Sequence, residues 1–189
     1  ETVAAAHLLE EQSQHPAALA IREYFERLQA EGDGSEVANS RFQFAETSVQ
    51  VGKGVEGVDS NGVCWGIGSN QWLAGLEIAS AEADAFYRKV TAEGLSPVFL
   101  AQGSQIVLAL AIGDTLRQEA NEAVSAIQKL GIESSICSGD APEVVAVVAH
   151  QLSLAAGSYA GGLSPEQKVL LINSKNQQSP TMMVGDGAN

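Results

Sequence analysis

The residues best equipped for chemistry fall in three short runs late in the chain: Ser138-Gly139-Asp140, Ser164-Pro165-Glu166-Gln167-Lys168 and Gly185-Asp186-Gly187-Ala188-Asn189. The last run follows an apolar stretch, Thr181–Val184, that reads as a buried strand. In open α/β sheets, ligands sit beyond the carboxyl ends of strands. A carboxylate there, on a turn whose glycines permit close approach, can hold a hard cation such as magnesium beside a phosphate. Ser138-Gly139-Asp140 closes a second expected strand, and Lys168 lies three residues after Pro165, at a helix start. A hydroxyl, an ammonium and a carboxylate in this order suit phosphoryl transfer, as donor, point charge and metal holder. Taken singly, Gly-Asp-Gly is a plain turn and Lys168 a solvated lysine. The ordered set is what points to phosphate.

A second group lies in the first half. If Pro16 takes the first position of a helix, His15 sits at that helix's N-terminus, where the dipole disfavours imidazolium. A neutral ring is then free to stack on or hydrogen-bond a base, and Glu10, about a turn and a half earlier, can accept from an exocyclic amine. Gly52 and Gly54 allow backbone to approach a ligand where a Cβ would obstruct it, although both are also explained as strand-turn glycines.

These residues need a scaffold, and the pattern supplies one. Thr2 to about Gln29 reads as two helices broken at Pro16, the second with Leu19, Ile21, Phe25 and Leu28 on a buried stripe. Glu31–Ser40 is a polar loop. From Arg41 to Trp72, apolar residues mostly alternate with polar or small ones, which predicts an antiparallel meander with Asn61-Gly62 as its best hairpin turn. A helix over Ser80–Glu93 and strands over Pro97–Ala101 and Ile106–Ile112 follow. Beyond Gly113 the expectation is a helix (Thr115–Leu130, ended by Gly131), a strand (Glu133–Cys137), a helix (Pro142–Leu152), a helix (Pro165–Asn173) and the strand Thr181–Val184. Alternating strands and helices imply a parallel, doubly wound sheet. The fold class is therefore α/β overall, an α+β domain over 1–112 followed by part of an α/β domain over 113–189.

The 189 residues carry 10 Lys+Arg against 23 Asp+Glu, a formal charge of −13, which disfavours nucleic-acid and anionic-membrane partners. No apolar stretch is long enough to cross a bilayer. Cys64 and Cys137 form no C-x-x-C pair and read as small core or strand residues, with a disulfide between them left open. Glu1 is not preceded by an initiator methionine and Asn189 falls inside a glycine-rich turn, so both ends read as cut.

Together, Ser138-Gly139-Asp140, Leu163 to Lys168 and Gly185 to Asn189 resemble the phosphorylation domain of P-type ATPases. Gly113-Asp114-Thr115-Leu116-Arg117 is similar to the segment by which those pumps re-enter that domain. Glu10 to Pro16 resembles the Ser-Glu-His-Pro element of the heavy-metal (type IB) branch, and Gly52-Lys53-Gly54 and Gly68-Ser69-Asn70-Gln71-Trp72 resemble its two glycine elements. The resemblance implies a nucleotide-binding domain over 1–112 inserted into a haloacid-dehalogenase-like domain. It implies adenine held by Glu10 and His15, a site lined by Gly52, Gly54 and Gly68, and a hinge marked by Asp114 and Arg117. It further implies Ser138, Asp140, Lys168 and Asn189 about the phosphoryl group, and Asp186 at the magnesium.

The implied cofactors are ATP and Mg2+, and the implied partners are the actuator, membrane and remaining phosphorylation segments of the same pump, at the cytosolic face of a membrane. Copper, Cu(I), is the cargo expected on family abundance, with zinc or cadmium next. The pattern is not matched everywhere. Asp-Lys-Thr-Gly-Thr, Thr-Gly-Glu and Cys-Pro-Cys are absent, Ser138 replaces the usual Thr, and Ser69 stands where relatives often have Asn. The phosphorylated aspartate is expected ahead of Glu1, so this stretch is expected to bind nucleotide without turning it over. Two other readings compete: a soluble phosphatase of the same superfamily with 1–112 as its cap, and a non-catalytic nucleotide-sensing module.

Overall fold

The computed structural model describes residues 2–11, 13, 16–30, 42–50 and 54–185. They form two compact units, one of residues 1–90 and 97–112, the other of 91–96 and 113–189.

The first unit opens with helices α1 (Thr2–Glu10) and α2 (Pro16–Ala30), which pack on each other. Proline at the first position suits the start of α2, since its missing N–H is an orphan there anyway, while α1 already ends at Glu10 and not at Pro16 as expected. Strands β1 (Phe44–Gln50), β2 (Gly54–Asp59), β3 (Cys64–Gly68), β4 (Ser96–Gln102) and β5 (Gln105–Ile112) form one sheet in that order. The β1–β2, β2–β3 and β3–β4 pairings are antiparallel. The expected hairpin turn at Asn61-Gly62 joins β2 to β3, with Gly62 at φ 79°, a region open to glycine.

Asp59 locks that turn. Its Oδ1 accepts from the backbone N–H groups of Asn61 (2.8 Å) and Val63 (2.9 Å), and its Oδ2 from the buried indole Nε1–H of Trp65 (3.1 Å). These donors, Val63 N–H foremost, hold the carboxyl below the usual aspartate range.

Period-two alternation gives the sheet two faces. Val55, Trp65 and Ile67 join Ala5, Ala6 and Leu9 of α1, Ile21 and Phe25 of α2, and Leu100 of β4 in one core. A second core holds Phe99 and Ala101 of β4 with Trp72 and Leu73 of α3 (Asn70–Gly75) and Ala83 of α4 (Ala81–Ala92). Trp72 thus lies on a helix, where the alternation placed it at the end of the meander. Ser69 caps that helix, its Oγ accepting from Trp72 N–H (3.4 Å), and the indole packs into a core, which neither the alternation nor the residue's strand preference anticipates.

The second unit holds α5 (Ala120–Lys129), β6 (Ile136–Cys137), α6 (Pro142–Gln151), β7 (Tyr159–Ala160) and α7 (Pro165–Asn176). Strands β6 and β7 pair in parallel, Ile136 with Tyr159 and Cys137 with Ala160. Val144, Val145, Ala149 and Leu152 are buried.

Here the sequence expectations need correcting in four places. The helix expected from Thr115 begins at Ala120, because Arg117 to Ala120 forms a turn and Glu119, at the N-cap, makes no side-chain capping bond. The strand expected from Glu133 is only Ile136–Cys137, and β7 was not foreseen because two residues are too few to show a period. The expected buried strand Thr181–Val184 is irregular, with Met182 84% and Val184 82% exposed, since no strand among the described residues pairs with it. The parallel sheet is, among the described residues, one two-stranded pair rather than a doubly wound sheet. Both cysteines are free, Cys64 exposed and Cys137 half-buried.

Candidate functional site

Two groups of candidate residues are present, one in each unit. In the first, Gly54 and Gly68, drawn from separate glycine elements, are direct register partners across β2 and β3. A Cβ on Gly54 would stand 2.2 Å from the Ile67 carbonyl oxygen and 2.9 Å from Gly68 Cα, so glycine is required there by the adjacent strand itself. The result is a pair of facing positions where neither strand carries a Cβ. Helix α1 packs on these same two strands, and its Leu9 lies over Gly57 of β2.

Next to Leu9, Glu10 is 7% exposed at the C-terminal end of α1. Burial pushes its carboxyl up from the ordinary glutamate range, more than a hydrogen bond from Ser13 and the charge of Arg22 pull it down. Arg22 also donates to the Glu11 carbonyl (3.3 Å), tying α2 to the end of α1. A buried carboxyl can accept from a ligand amine with little competition from water. His15 and Gly52 lie outside the described residues.

In the second unit, Ser138 and Asp140 meet at the carboxyl end of the parallel pair. Ser138 Oγ donates to Asp140 Oδ2 (2.6 Å) and accepts from the Asp140 backbone N–H (3.2 Å), while Ser96 Oγ stands 3.5 Å from Asp140 Oδ1. The loop leaving β7 closes over this turn: Gly162 N–H donates to the Asp140 carbonyl (2.6 Å) and Leu163 N–H to the Ser138 carbonyl (3.0 Å). Gly161 is needed for that closure, since a Cβ there would sit 2.7 Å from Pro142 Cα.

The same loop runs into Ser164, which caps α7. Its Oγ accepts from Gln167 N–H (3.3 Å) and Gln167 Oε1 accepts from Ser164 N–H (2.8 Å), a reciprocal capping box. Ser164 Oγ also donates to Glu166 (2.7 Å), which holds that carboxyl below its usual range. Lys168 is half-buried in the first turn of α7. Hydroxyl and carboxylate are therefore joined at the strand ends, and Lys168 stands on the helix into which the loop leaving β7 runs. Asp114 and Arg117 are exposed before α5, and Asp186 and Asn189 lie outside the described residues.

In the sequence, Ser164 has no role beyond its place in a run, and Gly161 has none. Only the first had a visible signal, the Ser-Pro-Glu-Gln spacing of a capping box.

A family model described as haloacid dehalogenase-like hydrolase matches residues 1–189. The chain belongs to that family. Within it, the relatives are heavy-metal P-type ATPases. Over 110 residues the chain is 36% identical to the zinc/cadmium/lead-transporting P-type ATPase of Escherichia coli strain K12, covering 57% of this chain and 15% of that protein. Over 181 residues it is 31% identical to the copper-exporting P-type ATPase B of Archaeoglobus fulgidus, covering 96% of this chain and 24% of that protein. The chain thus spans about a quarter or less of these relatives. A crystal structure of a zinc-transporting PIB-type ATPase in its E2.Pi state matches 99% of the chain and 28% of its own length, at 28% identity and a TM-score of 0.51. The catalytic domain of the CPx-ATPase CopB-B shares the fold, at 21% identity and a TM-score of 0.64 over 94% of this chain and 57% of that one.

Proposed function

We propose that this chain is the ATP-handling part of a heavy-metal P-type ATPase, with residues 1–112 as the nucleotide-binding domain and 113–189 as part of the phosphorylation domain. The observation that carries the reading is the register pairing of Gly54 with Gly68 across β2 and β3, strands on which α1 with its buried Glu10 also packs. Two separate glycine elements thereby meet in one pair where neither strand carries a Cβ, and α1 brings a buried acceptor to the same sheet. That fits a flat, hydrogen-bonding base such as adenine.

In this reading Glu10 and His15 hold adenine, and Gly52, Gly54 and Gly68 line the site. Asp114 and Arg117 mark the hinge. Lys168 offers its charge, and Ser138 Oγ, which donates its one proton to Asp140 in the 2.6 Å bond, turns that proton to a phosphoryl oxygen when the group binds. Asn189 completes the phosphoryl contacts and Asp186 holds Mg2+, which when bound neutralises charge on the transferred group. The acyl phosphate belongs to an Asp-Lys-Thr-Gly-Thr aspartate of the whole pump, and the aspartates here take supporting roles.

The partners are that pump's actuator, membrane and remaining phosphorylation segments, and the place is the cytosolic face of a membrane. The cargo is a heavy-metal cation, copper by family abundance. Among the described residues no helix is long and apolar enough to cross a membrane.

ATP titrated into the 189-residue protein, followed by amide NMR, tests the assignment. Shifts are expected at Glu10, Gly54 and Gly68. Shifts confined to 113–189 would overturn it.

A further inference from the structure

The glycine pair is held by residues that no part of the functional reading uses. Along β2 the side chains alternate, so Gly54 and Glu56 share one face, opposite Val55 and Gly57. Across β3 their partners are Gly68 and Gly66, and across β1 they are Gln50 and Ser48. The Glu56 carboxylate spans this face. Its Oε2 accepts from Gln50 Nε2 (3.0 Å), on the strand beside it, and its Oε1 accepts from the indole Nε1–H of Trp72 (2.9 Å), on α3.

Gly66 is the seat for that indole. A Cβ at this position would lie 2.2 Å from the Trp72 ring and 3.3 Å from Glu56 Cγ. Trp72 is also bound from the other side, because its backbone N–H donates to Ser69 Oγ and Ser69 directly follows Gly68. The carboxylate therefore joins three points around the glycine pair: Gln50, which is the register partner of Gly54, the β2 strand itself, and the helix whose cap, Ser69, follows Gly68.

We infer that Glu56 and Trp72 are positioning residues for the nucleotide site, a hydrogen-bonded clamp that sets the Gly54–Gly68 edge without touching the nucleotide. The inference rests on the nucleotide-binding reading above. What the clamp supplies is hydrogen bonding, not charge, since a carboxylate near a triphosphate is electrostatically unfavourable. This separates it from a general contribution to folding. Loss of the two bonds should let the Gly68–Ser69 turn and the end of β2 drift apart, and a ligand that needs both then binds less tightly.

Four variants of the 189-residue protein, three single and the Trp72→Phe/Glu56→Ala double, test this by calorimetry with MgATP, alongside thermal unfolding and amide NMR of the free proteins. Trp72→Phe removes the indole N–H and keeps an aromatic ring on Gly66. Glu56→Ala removes the acceptor. Glu56→Gln keeps an acceptor for Trp72, and Gln50 can turn its amide to match.

The expected result is a loss of ATP affinity of about three- to ten-fold in Trp72→Phe and in Glu56→Ala, no larger in the double variant than in the weaker single one. The Gly54 and Gly68 amides should shift in both free proteins. Glu56→Gln should bind at least as well as the parent. Unchanged affinity in folded Trp72→Phe would overturn the clamp and leave the pair as ordinary packing, and Glu56→Gln as weak as Glu56→Ala would overturn its hydrogen-bonding basis. A parent that binds no MgATP would instead overturn the nucleotide-binding reading, and the clamp with it.

Discussion

The two units bury their apolar residues very differently. In the first, a five-stranded sheet is covered on both faces, and Phe25, Phe99, Leu9, Ile67, Leu73 and Leu100 are all but inaccessible. In the second, burial centres on α6 over a two-stranded pair, while neither α5 nor α7 has a buried residue. Yet α5 is strongly amphipathic by sequence, with Val124, Ile127 and Leu130 on one stripe. Amphipathicity states which face a helix would bury. Burial needs a surface to receive it, and among the described residues that surface is small. Leu130 is 77% exposed, Leu170 68% and Ile132 55%.

Core truncation should break the comparison open most widely. Phe99→Ala should cost about 3–5 kcal/mol, because it removes a ring with no exposed surface and leaves a cavity between β4 and α4. Leu170→Ala should change stability by no more than about 0.5 kcal/mol. Urea unfolding read by fluorescence measures the first effect cleanly, since the two tryptophans, Trp65 and Trp72, both lie in the first unit. The second needs residue-resolved hydrogen exchange. Equal costs would mean that Leu170 is covered in solution.

Glycines give a smaller contrast. Gly54→Ala forces a methyl against the Ile67 carbonyl and should destabilise the first unit by about 1–3 kcal/mol, while also weakening ATP binding. Gly139→Ala meets only the Leu163 carbonyl, at an ordinary 3.5 Å, and should be nearly neutral for stability. Thermal unfolding of both proteins tests the pair. A neutral Gly54→Ala would show that β2 and β3 can separate at no cost.

The smallest effects are those of pH, and within the first unit they oppose each other. The Glu10 carboxyl is raised above its unfolded value by burial, so its ionisation penalises the fold, and stability falls as pH rises from about 4.5 through the folded value. Glu10→Gln should remove that slope, raise the melting temperature at neutral pH and weaken ATP binding. Asp59 is lowered by its hydrogen bonds, so its contribution is complete above the ordinary aspartate value, 3.8, and is lost as pH falls below it. Asp59→Asn should flatten that acid limb. Melting temperature against pH for the three proteins reads both slopes, and parallel curves would remove both assignments.

Much of this is legible in the sequence. Pro16 marks the start of α2, Asn61-Gly62 the turn between β2 and β3, and alternation the antiparallel strands, because each is set by a residue's own φ preference or by a period of two. The two-residue strands β6 and β7 were beyond reach, since pairing and not period creates them, and the strand expected at Thr181–Val184 has apolar residues but no described neighbour to pair with. Among the candidate residues, Ser138, Asp140 and Lys168 were found as separate motifs. That the loop after β7 folds back on Ser138-Gly139-Asp140 depends on backbone bonds from Gly162 and Leu163 that no local pattern records.

By itself the sequence determined what is local: where helices start, where hairpins turn, and which residues have the acid, hydroxyl or ammonium groups for phosphate chemistry. Only tertiary structure decided that Gly54 faces Gly68, that Trp72 leaves the sheet for a helix and reaches back to Glu56, and that Glu10 is buried with a raised pKa. The reason is physical. Backbone preference and periodicity act over a few residues, whereas register, desolvation and long-range hydrogen bonds exist only once distant segments share the same space.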